Sequence, residues 1–87
     1  MSEEPIGKVT HFYSRLMVAT LELTQPLHVG DEIHIKGHTT DFRQKVESMQ
    51  IERQPVEFAK PGDNVAIKVA DHVREHDVVY RVESNAI

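Results

Sequence analysis

The chain has 87 residues, a formal net charge of −4, 39% hydrophobic and 28% charged residues, and no cysteine. This length allows one domain with a thin core, and the composition is globular rather than disordered. The absence of cysteine excludes disulfides and thiolate chemistry, and the acidic charge argues against a general nucleic-acid binder. The acidic start, Met1–Pro5, is unlike a secretory signal, and the longest apolar run, Leu16–Ala19, is too short to cross a membrane. We therefore expect a cytoplasmic protein.

Residue choice and alternation predict an all-β chain. Valine and isoleucine together count 17, against 9 for leucine and alanine, and β-branched side chains favour strands. Period-two alternation between turn signals predicts six strands, at about 7–13, 17–23, 32–36, 42–52, 65–69 and 77–83. The third is the clearest, because Ile33 and Ile35 alternate with His34 and Lys36. If the isoleucines point inward, His34 and Lys36 lie on the outer face.

Two features of these segments predict that the sheet closes on itself. The apolar positions of the fourth strand change phase between Val46 and Met49, as at a bulge or a barrel corner. The segment Gly30–Ile35 is echoed by Gly62–Ile67, and in each copy a glycine-aspartate turn leads into a strand. The two copies look like equivalent corners of one closed sheet.

The predicted architecture is therefore a small closed six-stranded antiparallel β-barrel. It forms a single domain over residues 1–87, with a core at about 7–83. The ends, residues 1–5 and 84–87, are expected to be flexible tails.

Three segments carry a resemblance to a known family. Leu27–Ile35, Val46–Ile51 and Ala59–Ile67 resemble, in sequence, order and spacing, the second domain of translational GTPases, of which elongation factor Tu is the type case. The resemblance covers roughly residues 7–83 and implies a six-stranded antiparallel barrel. In full-length factors this module contacts tRNA ends, the small ribosomal subunit and the neighbouring GTPase domain.

The chain also departs from that family. It has no G-x-x-x-x-G-K-[ST] loop to hold a nucleotide's phosphates, and the turn Tyr13–Met17 lacks the family's glycines. The resemblance therefore implies the fold and an association with translation, without GTP binding or hydrolysis. A similar barrel also closes some U32 peptidase-type proteins, so the link to translation is not exclusive.

The candidate catalytic and metal-binding residues are few. His72 and His76 have H-x-x-x-H spacing, but they lie in a short connection between strands, which favours a solvated polar turn over a metal site. Neither Ser14 nor Ser48 lies in a G-x-S-x-G elbow. We therefore expect no catalytic residues, no metal, no cofactor and no enzymatic activity.

A binding surface is the better hypothesis for the outer face. Four basic residues could form a stripe there: Lys36, Arg43, Lys45 and Lys68. Glu32, Glu47 and Glu52 dilute it, and ordinary mixed surface charge is the alternative interpretation.

The predicted function is a non-catalytic binding module of the elongation-factor domain 2 type. Its expected partner is ribosomal RNA, transfer RNA or a translation-associated protein, with no nucleotide and no membrane. The alternative is a protein-interaction or accessory structural β-barrel unrelated to RNA, such as a detached domain like that at the end of U32 peptidase-type proteins.

Overall fold

The computed structural model describes residues 2–83, and within that range the chain forms ten strands. They are β1 (Ser2–Tyr13), β2 (Val18–Leu23), β3 (Leu27–His28), β4 (Glu32–Lys36), β5 (Asp41–Lys45), β6 (Met49–Ile51), β7 (Gln54–Val56), β8 (Phe58–Ala59), β9 (Asn64–Lys68) and β10 (Val78–Glu83). The all-β class is confirmed. None of the described residues belongs to a helix long and apolar enough to cross a membrane.

Eight of the strands pair in series to form one antiparallel sheet. Their order is β5-β4-β10-β1-β2-β9-β6-β7, and β3 pairs with β8 in a separate two-stranded sheet. The predicted closed six-stranded barrel is therefore not found as such. The large sheet has eight strands, and no backbone ladder within residues 2–83 joins its outer strands, β5 and β7.

The predicted fourth strand, at 42–52, is two strands separated by an exposed connection. β5 pairs with β4, whereas β6 pairs with both β7 and β9. Val46 and Met49 are both buried, while Glu47 and Ser48 between them are exposed. The phase change in the sequence marks this break, at which the chain leaves one strand partner for another.

The predicted N-terminal tail, residues 1–5, is wrong for residues 2–5. Ser2 to Pro5 extend β1 and pair with β10, from Ser2 opposite Glu83 to Pro5 opposite Tyr80. The sequence of this segment is polar and therefore looks like a tail. Its acidic side chains are instead bonded to residues far along the chain, which local sequence does not reveal. The Glu4 carboxylate, for example, accepts a hydrogen bond from the Arg81 guanidinium at 3.0 Å. The predicted tail at 84–87 lies outside the described residues.

One cluster of buried aliphatic side chains forms the core. Its largest members are Ile6, Leu21, Leu23, Leu27, Ile33, Ile35, Met49 and Ile67. Burial alternates along β9, which buries Val65 and Ile67 and exposes Asn64 and Lys68. This alternation is the pattern from which the strands were predicted.

Three loops repeat one turn just before a core strand. They span residues 28–31, 60–63 and 74–77, and lead into β4, β9 and β10. In each turn, the backbone amide of the closing aspartate donates to the first carbonyl at 3.0–3.1 Å. The aspartate carboxylate in turn accepts from the first amide at 2.8–3.0 Å.

The third residue of each turn has a positive φ, namely 99° at Gly30, 92° at Gly62 and 75° at His76. The sequence predicted the two glycine turns. It gave no glycine signal for the third, because histidine occupies the position that favours glycine.

Candidate functional site

The β4–β5 hairpin holds three of the four residues predicted to form a basic stripe. Lys36, Arg43 and Lys45 are exposed on it. Each lies beside an acidic or titratable group across the ladder, in the pairs Lys36–Asp41, Arg43–His34 and Lys45–Glu32. This face therefore carries alternating charges rather than an uninterrupted basic stripe.

Lys68 lies on β9, away from Lys36. It lines a shallow cavity of about 250 Å³ with Lys45, Gln44 and Glu47. The Arg43 guanidinium is engaged elsewhere, because its Nη2 donates to Glu3 Oε2 at 3.2 Å. The structure thus brings Lys45 and Lys68 together at one cavity, while Arg43 bonds to Glu3, and a stripe of all four residues stays a prediction.

His34 is the centre of the most tightly bonded polar cluster in the described chain. Its side chain is only 10% exposed although it lies on the outer face of β4. Nδ1 lies 2.9 and 3.0 Å from the two carboxylate oxygens of Glu3, and Nε2 lies 2.5 Å from Asp41 Oδ1. A carboxylate can only accept a hydrogen bond, so both ring nitrogens act as donors and the imidazole is protonated in this arrangement.

The electrostatics of the cluster agree with that geometry. The hydrogen bond to Asp41 raises the pKa of His34, burial opposes this, and Glu3 adds a further upward push. The same bond from His34 holds the pKa of Asp41 below its usual value. The cluster clamps β1, β4 and β5 together through charge-assisted hydrogen bonds, and its chemistry is the uptake and release of one proton.

His72 and His76 do not converge on a metal site. Both are exposed, and the His72 ring packs edge-on against Phe12 at 5.4 Å. His76 serves as the third residue of a turn, and its backbone amide donates to the Val9 carbonyl at 2.8 Å. No group of three or more metal-binding side chains occurs among the residues that the structure covers.

A groove on the outer face of the sheet was not anticipated from the sequence. It lies between the β1–β2 hairpin and the β6–β7 hairpin and has a volume of about 390 Å³. Its lining residues are Tyr13, Leu16, Val18, Thr20, Gln50, Glu52, Arg53, Asn64 and Ala66. Tyr13 and Leu16 are 46% and 64% exposed. The one sequence signal for it was an apolar leucine in a turn where polar residues are usual.

These features define a class of protein before any comparison. The chain is a small β-domain with one packed core, a charge-paired face and an open groove with an apolar end. Because a fold alone does not specify a function, any role has to be argued from these surface features.

The comparisons with known proteins place this fold. No family model matches the chain. An uncharacterised protease of Methanocaldococcus jannaschii is 46% identical over 76 residues, which are 86% of this chain and 19% of that protein. A collagenase of Porphyromonas gingivalis is 44% identical over 80 residues, which are 90% of this chain and 22% of that protein. The chain thus spans about a fifth of the length of these curated relatives.

Two solved structures share the fold. The C-terminal domain of a U32 peptidase-type protein of Geobacillus thermoleovorans superposes with a TM-score of 0.87 at 22% identity, covering 92% of this chain and 93% of that one. Its selenomethionine variant gives a TM-score of 0.83 at 23% identity, covering 87% and 96%. The chain has the fold of the C-terminal domain of U32 peptidase-type proteins.

The resemblance to the second domain of translational GTPases is therefore wrong as an assignment. The relatives are named as a protease and a collagenase, and the structural neighbours are the C-terminal domain of a U32 peptidase-type protein. The expected link to elongation factors and the ribosome is wrong with it. Two of the three misleading segments contain a glycine-aspartate turn followed by a strand, and this chain uses the same aspartate-closed turn at three places for local reasons. The comparisons support the alternative prediction, an accessory domain like that at the end of U32 peptidase-type proteins.

Proposed function

We propose that this chain is a non-catalytic accessory domain of a U32 peptidase-type system. The observation that carries the proposal is 44–46% identity, over most of the chain, to about a fifth of proteins named protease and collagenase. The fold of a C-terminal domain of such a protein supports the same role. In this proposal, the remaining four-fifths of the relatives carry out peptide-bond hydrolysis.

The polar groups of the described chain fit a structural role better than a catalytic one. Both ring nitrogens of His34 are bonded to carboxylates, so neither has a free lone pair with which to take a proton from a nucleophile. Ser14 and Ser48 are exposed. A general base must lie within hydrogen-bond reach of the proton that it removes, and this cluster directs its donors at Glu3 and Asp41 instead.

We further propose that six of the strands close into a barrel through a side chain. The Gln44 amide of β5 donates from Nε2 to the Lys68 carbonyl at 2.8 Å, and Oε1 accepts from the Ala70 amide at 2.7 Å. These bonds join β5 to the end of β9, which completes a ring of β5, β4, β10, β1, β2 and β9. A closed ring would give an accessory domain a rigid surface for binding.

The proposal is tested by exchange between relatives. In the collagenase of Porphyromonas gingivalis, the matching 80-residue segment is replaced by this chain or deleted, and hydrolysis of collagen is measured. We expect the exchange to retain most of the activity that the deletion loses, and this chain alone to hydrolyse nothing. Circular dichroism verifies that both variants remain folded. Hydrolysis by this chain alone, or an exchange variant that is folded but as inactive as the deletion, would contradict the proposal.

A further inference from the structure

We propose that His34, Glu3 and Asp41 form a proton-controlled latch that holds the first residues of β1 against the sheet. When the His34 ring is protonated, Ser2–Pro5 stay paired with β10. When the ring loses its proton, this segment opens while the rest of the sheet remains folded. The inference concerns the fold of this chain and does not depend on the proposed accessory function.

The first four residues of β1 have fewer contacts than the rest of the strand. Within residues 2–83, Ser2–Pro5 pair with β10 alone, whereas the pairing of β1 with β2 begins at Gly7. The ladder with β10 also shifts register just before Gly7. Ile6 is fully buried, but none of residues 3–5 is buried. A segment with few buried apolar contacts opens at a low cost in free energy, so its polar contacts decide whether it stays in place.

Two carboxylates supply those polar contacts. Glu3 reaches across β10 to Nδ1 of His34 on β4, at 2.9 and 3.0 Å, and also accepts from Arg43 on β5 at 3.2 Å. Glu4 accepts from Arg81 on β10 at 3.0 Å. An arginine keeps its charge at every pH that a protein tolerates, whereas a histidine loses its charge within the physiological range. The bond from His34 is therefore the contact of this segment that removal of a proton can break.

Loss of the proton should release Glu3 rather than Asp41. A neutral imidazole has one N–H and one lone pair, so it can donate to only one of the two carboxylates. Asp41 lies 2.5 Å from Nε2, and β5 pairs with β4 along its whole length, so Asp41 stays close to the ring. The tautomer with its proton on Nε2 therefore keeps the bond to Asp41. It directs the lone pair of Nδ1 at the Glu3 carboxylate, and the two groups repel each other.

The groups packed around His34 set the pH at which the latch opens. The other charged or titratable side chains beside the ring are Arg43 on β5, Tyr80 on β10, and Glu32 and Lys36 on β4. The hydrogen bond to Asp41 raises the pKa of His34, burial opposes this, and Glu3 raises the pKa further. The latch is therefore closed below the ordinary histidine value of about 6.5 and opens as the pH rises through the raised folded value.

The test is hydrogen exchange of the backbone amides, expressed as protection relative to the intrinsic rate at the same pH. Alternate pairs of an antiparallel ladder are hydrogen-bonded, so one of the Glu3 and Glu4 amides donates to β10. We expect the protection of that amide to fall by about tenfold or more between about pH 6 and pH 9, as loss of a charge-assisted hydrogen bond implies.

Low concentrations of urea separate local opening from global unfolding. The protection at the start of β1 should not change with urea, because opening of a few residues exposes little surface. Ile67 is paired with strands on both sides, so its amide should be better protected and should lose protection as urea is added.

Glu3→Gln and Glu4→Gln are a matched pair of variants. A glutamine at position 3 can offer its oxygen to a protonated ring or its N–H to a neutral ring, so Glu3→Gln should remove the pH step. Glu4→Gln weakens the contact with Arg81, in which no histidine takes part. It should lower the protection at every pH and retain the tenfold step. His34→Gln should remove the step, and if that variant does not fold, Glu3→Gln decides because it keeps the histidine.

Four results would overturn the latch. They are a start of β1 that is unprotected at pH 6, protection that is constant with pH, protection that matches that of Ile67 and falls equally with urea, and a pH step that survives in Glu3→Gln. The collagenase exchange measures hydrolysis, so its failure bears on the accessory function alone and leaves the latch standing.

Discussion

At the scale of single residues, His34 shows how a partner distant in sequence changes the role of a side chain. Alternation correctly placed it on the outer face of its strand, where an exposed histidine would be ordinary. Glu3 covers it from β1, 31 residues away, and that segment was predicted to be a tail. Local sequence therefore predicted the direction of the side chain and missed its burial, because burial depended on a non-local strand pairing.

The first prediction concerns the pH dependence of stability. The pKa of His34 is raised in the folded state, so its stabilisation is full below the unfolded value of about 6.5 and is lost as pH rises through the folded value. The pKa of Asp41 is lowered, so its contribution is lost only as pH falls through that lowered value. We expect the melting temperature to be highest in weakly acidic buffer and to fall by about 2–8 °C towards pH 9.

His34→Gln should flatten this dependence above pH 6, whereas His38→Gln, an exposed histidine of the following turn, should preserve it. Melting curves in matched buffers, together with a carbon-detected titration of the histidine rings, measure both effects. A native protein whose stability is constant from pH 6 to pH 9 would contradict the assignment of a protonated clamp.

At the scale of elements, the three equivalent turns show which parts of the fold could be predicted from sequence. The two glycine turns were predicted because glycine at positive φ leaves a local signature. The third was missed because His76 occupies the same backbone position. The break between β5 and β6 was read as a bend in one strand, since strand partners far along the chain decide where pairing ends. The groove was missed for the same reason, because its two hairpins are distant in sequence.

The turns give a second prediction, on stability. A Cβ at Gly62 would meet no atom within 4 Å, so the cost of Gly62→Ala is purely conformational, at about 1 kcal/mol. His76→Gly removes the same strain from the third turn and should raise the free energy of unfolding by up to about 1 kcal/mol. Urea denaturation measures both. Glu75→Gly is the control within that turn, because Glu75 has no positive φ and gains nothing from glycine.

Opposite signs for the glycine variants at positions 75 and 76 are the decisive result. If His76→Gly destabilises the protein as much as Glu75→Gly does, then the histidine side chain contributes more than its backbone strain costs, and the three turns are not energetically equivalent.

At the scale of the whole molecule, composition and alternation were enough to predict an all-β domain, whereas the closure that we propose rests on a side chain. The backbone pairings alone leave β5 unpaired on one side within the described range. The sequence predicted Gln44 only as one residue of a long strand. No residue near it in the sequence signals that its side chain contacts residues 68 and 70.

The last prediction tests that closure. Gln44→Met keeps the length of the side chain and removes both hydrogen bonds, leaving the Lys68 carbonyl and the Ala70 amide without this partner. We expect the free energy of unfolding to fall by about 1–3 kcal/mol and the Ala70 amide to exchange its hydrogen faster. Gln54→Met, an exposed glutamine on β7, is the matched control and should change the stability by less than about 0.5 kcal/mol. If Gln44→Met and Gln54→Met have equal stability and equal hydrogen exchange at Ala70, the ring of six strands does not depend on Gln44. Loss of a closing contact would have to leave the groups that it joins open to solvent.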